Sequence, residues 1–246
     1  MGGIIFSIFT NIKIRNMVRK IFILAILTLY CYGNVVAQIA PVTDLEFKRF
    51  QLDFRLAQSF DGTSGPTYEG TPYLFKEFTG ANIILNAGKG YEGIPMNYNI
   101  HNDDFEFMME GVSYALGNNN IVSYINIDDR KFYYKTYTYN SAQIKGYLEL
   151  VADGDIRFYK KHRVIYTEPK PTRGYVEAQP AKFDSRSPDY FIELKKSKIV
   201  YFNKLNDIAD MIPDDGDRIK DFIKANKLKA RKEEDIVELA DFINGK

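Results

Sequence analysis

Cysteine, histidine and tryptophan are nearly missing from this 246-residue chain, which holds one cysteine, two histidines and no tryptophan. The single cysteine, Cys31, falls inside an N-terminal leader. Beyond that leader there is no disulfide, no thiolate nucleophile and no thiolate metal ligand. The chain also lacks a Gly-x-Ser-x-Gly elbow, a Walker loop, a His-Glu-x-x-His helix and a nucleotide-binding glycine fingerprint. Glycoside hydrolysis needs only two carboxylates, so it is the one enzymatic class that these absences leave open. Long hydrophobic runs are missing as well. Ile21 to Leu29 is apolar but shorter than the ~20 residues a bilayer-crossing helix needs, which argues against a stable transmembrane anchor.

That short run has a different meaning. Met17 is followed by Arg19 and Lys20, then the apolar stretch, then Val35-Val36-Ala37 ahead of Gln38. A positive start, a short greasy centre and small residues before the cut are the requirements of a secretory signal peptide. Residues 1–37 are therefore expected to be a signal peptide cleaved between Ala37 and Gln38, with Met17 as the true start and Met1 to Asn16 an over-extended reading frame. Tyr30 is too large to precede a lipid-modified cysteine, which disfavours lipid anchoring at Cys31. The expected destination is the periplasm, the outer-membrane periphery or the exterior. An exported chain of this size without disulfides must rely on its own core.

Removal of the leader also changes the charge. It takes four bases (Lys13, Arg15, Arg19, Lys20) and no acids from totals of 33 bases and 32 acids, leaving 29 against 32, a net of −3. A faintly acidic protein is a poor nucleic-acid binder, so no nucleic-acid partner is expected.

From 38 to 203 the chain reads as strand after strand. Phe50, Leu52, Phe54 and Leu56 alternate with polar residues, the rhythm of a half-buried strand. Short apolar or aromatic runs follow at Tyr73–Phe75, Ile83–Leu85, Ile94–Ile100, Phe105–Met109, Val112–Leu116, Ile121–Ile127, Lys131–Tyr139, Gly146–Ala152 and Ile156–Thr167, bounded by Gly, Pro, Asn or Asp. Asp153-Gly154 predicts a type I′ hairpin turn. Such close spacing leaves no room for crossover helices, so the sheet should be an antiparallel meander. Pro169, Pro171, Pro180 and Pro188 predict an exposed connection or irregular edge from Glu168 to Pro188, since proline has no amide donor. Tyr190–Leu194 and Ile199–Phe202 then predict a hairpin.

From Leu205 the period becomes helical. Ile208, Met211 and Ile212 share a face before Pro213. Asp214, Asp215 and Asp217 suit the start of a second helix, with Ile219, Phe222 and Ile223 as its stripe and Lys224 and Lys227 near its end. Glu233, Glu234 and Asp235 open a third, whose Ile236, Leu239, Ala240 and Ile243 line one buried face. The predicted class is α+β, mainly β: an antiparallel body over 38–203 with two to three C-terminal helices over 204–246 packed on it.

Several separated segments resemble an uncharacterised family of exported Bacteroidota proteins. They are Gly70-Thr71-Pro72-Tyr73-Leu74, Gly93-Ile94-Pro95-Met96-Asn97-Tyr98-Asn99 running into Phe105-Glu106-Phe107, and Pro180-Ala181-Lys182-Phe183 ahead of Tyr190-Phe191. Ile219-Lys220-Asp221-Phe222-Ile223-Lys224, Asn226-Lys227-Leu228 and Lys232-Glu233-Glu234-Asp235 complete the set. The resemblance spans roughly 68 to 244 and implies an envelope location and a β-rich body with a helical tail. It carries over no activity, ligand or catalytic residue.

Each reactive-looking cluster has a structural reading beside its functional one. His101-Asn102-Asp103-Asp104 could be a metal corner, but two adjacent carboxylates in a turn are more often solvated, and a hairpin turn is favoured. Lys160-Lys161-His162-Arg163 could hold a phosphate or an anionic polymer, yet lysines on the outer edge of a sheet deter unwanted pairing, and that reading is preferred. Tyr133, Tyr134, Tyr137 and Tyr139 could form an aromatic platform for sugars or peptides, though tyrosine is also common on pleated, half-buried surfaces. Asp153-Gly154-Asp155 and Asp214-Asp215-Gly216-Asp217 suggest calcium. With Gly216 as the sixth loop position, however, the first is Met211, which has no ligand, so the EF-hand pattern fails. No catalytic, cofactor or metal residue is assigned. Short strands and a charged helical end argue against an outer-membrane barrel.

The favoured role is non-catalytic: an envelope protein that binds or scaffolds through its β-sheet surface, with an envelope protein or small ligand as partner. The basic residues of the tail (Arg218, Lys220, Lys224, Lys227, Lys229, Arg231, Lys232) could dock on an acidic partner or be a solvated face. The alternative is a lipid or glycan carrier, or a carboxylate-dependent hydrolase.

Overall fold

Tyr137, Leu148, Tyr159, Phe191 and Ile199 are nearly adjacent in space and come from five different strands. They fill a ring. Strands β8 (Arg130–Tyr139), β9 (Ala142–Ala152), β10 (Ile156–Thr167), β11 (Ala181–Leu194) and β12 (Ile199–Phe202) pair in that order, and β12 returns to β8 through Val200 opposite Thr138. The computed structural model behind this description covers residues 48–50, 54, 57–60, 68–117, 119–172, 178–194 and 198–245.

The remaining strands extend from the β8 side. Beyond β7 (Val122–Ile127) come β3 (Thr79–Leu85), β4 (Gly90–Asn99), β5 (Asp104–Met109), β6 (Val112–Ala115) and β1 (Ala57–Phe60), while β2 (Tyr68–Glu69) lies against β11. The mainly β class with C-terminal helices is as expected, and the sheet is mixed rather than purely antiparallel. β11–β2 and β12–β8 are short parallel pairings.

Two-residue turns set much of this order. Glu110-Gly111, Asp128-Asp129 and Asn140-Ser141 all have positive φ at both positions and join β5–β6, β7–β8 and β8–β9. That is the type I′ backbone, whose twist matches the flanking strands. The expected type I′ turn at Asp153-Gly154 is absent: neither residue has positive φ, and three residues separate β9 from β10. Gly154 serves packing instead. A Cβ there would collide with Asn244, whose amide both accepts from the Ile156 N–H (3.0 Å) and donates to the Ile156 carbonyl (2.9 Å).

Side-chain alternation then sorts the apolar residues into three cores. Even positions of β8 (Phe132, Tyr134) face the first core with Ala81, Ile83, Ile94, Met96, Phe105 and Phe107, whereas Tyr133, Tyr137 and Tyr139 face the ring interior. The tyrosine run is therefore mainly a packing feature. The third core lies outside the ring, where Ile156, Phe158, Tyr190, Ile192 and Phe202 meet three helices. These are α1 (Leu205–Met211), α2 (Gly216–Asn226) and α3 (Glu233–Asn244), and they bury Ile208, Ile219, Ile236, Leu239 and Ala240. The Asp207 carboxylate caps α1 by accepting from the Lys204 N–H at 2.9 Å. Phe222 and Phe242 stack at 3.8 Å to lock α2 against α3. No helix among the described residues is long and apolar enough to cross a membrane.

Other expectations change. Lys48–Phe50 and Phe54 are helical, and Phe50 and Phe54 are fully buried with ring centroids 4.7 Å apart. Positions i and i+4 face the same way in a strand and in a helix, so their apolar pattern alone could not choose between the two; Leu52 and Leu56 lie outside the described residues, as do Ala37 and Gln38. Tyr73–Phe75 is an irregular bend with one bridge, Tyr73 to Asn99. The connection expected from Glu168 to Pro188 is shorter, because β11 runs from Ala181 through Pro188. β10 advances two residues, Lys161 to Arg163, while β11 advances three, Asp189 to Arg186. That bulge takes Ser187 and Pro188 out of the ladder, which is how a strand tolerates a residue with no N–H.

Candidate functional site

Two kinds of polar cluster occur, and they differ in whether their charges are already satisfied. Glu149 lies on the outer face of β9 between Tyr147, which packs in the first core, and Val151, which packs under the helices. Its carboxylate meets Lys160 at 3.1 Å and the His162 Nε2 at 2.5 Å, with Arg130 at 3.9 Å. Lys160 also bonds both oxygens of Glu233, at the start of α3. Burial raises the Glu149 carboxyl, but His162 and Lys160 outweigh it and hold the group below its ordinary value. Lys160 is thus no outer edge, being paired with Tyr190 of β11 and Glu149 of β9; the β9 ladder ends there, and Lys161 and His162 engage Asp103 and Glu149 through their side chains.

The turn His101 to Asp103 is a hairpin connection, as expected, but its carboxylates are not solvated. Asp103 accepts from the Tyr98 hydroxyl (2.7 Å) and the Tyr147 N–H (3.2 Å) and pairs with Lys161. Gly146 permits this approach, since a Cβ there would collide with the Asp103 carboxylate. His101 turns away from both acids and packs on Tyr166 and Phe183, at 5.7 and 5.4 Å. Asp104 accepts from Asn119 at 3.1 Å and from the Phe105 N–H at 2.8 Å, yet burial pushes its carboxyl up to about 7.

A carboxyl raised in the fold stays protonated there while the unfolded chain ionises near its ordinary value of ~3.9. The folded chain then binds more protons between pH ~4 and ~7, so Asp104 lowers stability as pH rises through that window. Asp104→Asn should keep the acceptor oxygen, raise stability at pH ~8 by about 2–4 kcal/mol, and flatten that part of the profile in urea titrations. A variant no more stable at pH 8 than at pH 4, relative to the parent, would contradict the burial effect.

Two further glutamates are similarly enclosed. Glu106 accepts from Tyr73 (2.6 Å), Asn99 (2.7 Å) and Ser113 (2.8 Å), and Glu193 accepts from Lys135 (2.9 Å) and Tyr159 (2.6 Å). Burial and the adjacent Glu193 push the Tyr159 hydroxyl up, so it remains a donor. In these networks the carboxylates are taken up by protein donors. Among the described residues no group of three or more His, Cys, Asp or Glu is arranged to hold a metal.

The second kind of cluster is open. A cleft of about 410 Å³ lies where β10, β11 and β12 meet the turn before α3. Arg163, Arg186 and Arg231 line it, with the adjacent rings of Tyr139 and Tyr201 (4.9 Å apart) and the Ser187-Pro188 bulge. Arg163 is directly opposite Arg186 in the β10–β11 ladder. Like charges placed opposite one another across strands repel. Asp189, 3.2 Å from Arg163, offsets one of them. Among the described residues, Arg186 and Arg231 have no acid within ion-pair distance.

No protein-family model, curated protein or solved structure matches the chain. The assignment of a site therefore rests on geometry.

Sequence reasoning singled out His101, Asp103, Asp104 and the Lys160–Arg163 run. The structure distributes these among two internal networks, an aromatic contact and, for Arg163 alone, the cleft. It also brings in Arg186, Tyr201 and Asp189, which sequence reasoning did not select, and Arg231, which it read only as one of the basic residues of the tail. Arg186 lies within the proline-rich stretch read as a connection, and only the bulged ladder reveals its partner. A second depression, lined by Glu233, Glu234, Val237, Glu238 and Asp241, belongs to one face of α3 and has no opposing wall of its own.

Proposed function

We propose that this chain is a non-catalytic, exported binding protein whose working surface is the arginine-lined cleft on the β10–β12 part of the ring. The observation that carries this reading is the Arg163–Arg186 cross-strand pair, with Arg186 and Arg231 left without acidic partners among the described residues. Repulsion of this kind costs stability unless an anion relieves it. Asp189 is the one carboxylate among the described residues of the cleft lining, and Arg163 engages it. That supports binding over the hydrolase alternative, which needs two acids facing one another across a substrate. Export follows from the leader, and the −3 charge of the remaining chain suits an anionic ligand only where bases are concentrated, as they are here.

The chain secreted from its native cell should begin at Gln38 by N-terminal sequencing. Melted against a panel of small anions (phosphate, sulfate, citrate, glucuronate), it should gain several degrees with at least one of them. Arg186→Glu/Arg231→Glu should lose that gain. A chain retained in the cytosol, or a panel in which no anion stabilises the parent, would overturn this reading.

A further inference from the structure

We propose that the cleft takes the phosphate dianion of a phosphomonoester carried on a sugar-sized ring. This inference rests on the binding role proposed above and specifies its ligand.

Charge is the first ground. Among the described residues, three guanidiniums and one carboxylate leave two positive charges uncompensated. A phosphomonoester carries about −1.5 to −2 at neutral pH, whereas a carboxylate offers −1 and would leave one guanidinium unmatched. Direction is the second. Arg163 and Arg186 approach side by side from neighbouring strands, and Arg231 enters from the turn before α3. A carboxylate accepts in one plane, while three phosphoryl oxygens can accept from several directions, and guanidinium forks suit them. The Asp235 carboxylate steadies that turn, accepting from the Lys229 N–H at 2.7 Å. Ser187 and Asn203 add neutral polar groups to the lining.

The walls supply the third ground. Tyr139 and Tyr201 sit edge to face, and Ile165, Pro188 and Ala230 add apolar patches to a lining that is polar over most of its surface. Burial raises the Tyr201 hydroxyl, so its ring stays neutral and adds no negative charge against a phosphate. Aromatic walls and a cationic lining, in a volume near the lower limit for small-molecule sites, fit one phosphorylated ring rather than a polymer.

Calorimetric titration with glucose 6-phosphate, sulfate and glucuronate tests this on the full secreted chain. Glucose 6-phosphate should bind more tightly than glucuronate. Its affinity should fall at least roughly tenfold from pH ~7.5 to pH ~5, as the phosphate gains a proton, while sulfate changes little. Sulfate stays a dianion, so it controls for titration of the facing groups Asp189, Tyr139, Tyr190 and Tyr201. Arg186→Glu and Arg231→Glu should each weaken glucose 6-phosphate at least roughly tenfold, and Lys220→Glu/Lys224→Glu on α2 should not.

Vesicles of phosphatidylcholine containing phosphatidic acid separate the two sources of this chemistry. Capture that depends on Arg186 indicates a lipid headgroup, and binding of the free sugar phosphate alone indicates a soluble ligand; both bear out the phosphomonoester. Glucuronate binding at least as tightly as glucose 6-phosphate would overturn the phosphate assignment and leave the anion-binding role intact. Failure of every anion would overturn both.

Discussion

Removal of Leu205 to Lys246 should abolish cooperative folding of what remains. The three helices cover Ile156, Phe158, Tyr190, Ile192 and Phe202 on the outer face of the ring, all 9% exposed or less. Burying a large apolar side chain contributes about 1.5–3 kcal/mol, so uncovering five of them removes on the order of 10 kcal/mol. Native domains are stable by only ~5–15 kcal/mol in total. The deletion also takes Glu233 from Lys160 and the Asn244 amide from Ile156. Circular dichroism and urea titration of the truncated chain should show no sharp transition. Leu239→Ala offers a milder check on the same face, with an expected loss of about 2–5 kcal/mol. A truncated chain that melts like the parent would show that the ring does not depend on its helical cover.

The second large effect should come from Glu149. Its replacement by alanine leaves Lys160 and His162 facing one another at a buried seam, with Glu233 as the remaining acid for Lys160. Breaking one member out of a buried charge cluster costs about 3–5 kcal/mol, because the partners keep their desolvation penalty. Glu149→Gln, which keeps an acceptor and the shape, should lose less. The pH dependence has the opposite sign to that of Asp104. A carboxyl held below its ordinary value contributes stability above its unfolded pKa of ~4.3, and that contribution is lost as pH falls through the lower folded value. The parent should therefore lose stability in acid more steeply than Glu149→Ala. Equal acid sensitivity, or a loss under ~0.5 kcal/mol at neutral pH, would mean that this network is incidental to folding.

The seam and the cleft illustrate how much chemistry lay beyond the reach of pattern reading. Lys160, Lys161 and His162 looked like edge protection, because runs of bases are common there and a strand's period says nothing about its neighbours. In fact β10 is paired on both sides as far as Lys160, and all three bases engage carboxylates. Four residues matter most for the cleft: Arg163, Arg186, Asp189 and Arg231. They are spread over nearly seventy positions, and a one-residue bulge in β11 decides which of them align. His101 and Asp104 are close in sequence but go to different surroundings, one to aromatic rings and the other to Asn119.

The amino-acid order by itself determined the β-rich body, nearly every strand from Ile83 to Phe202, and three C-terminal helices with their buried stripes. Those properties are local: alternation, turn chemistry and the spacing of apolar residues act within a few positions. Only the tertiary structure decided that five strands close on themselves, that Phe50 and Phe54 are helical, and that three arginines share one cleft. Strand pairing joins residues far apart in sequence, and a period of two names the face of a strand but not the strand beside it.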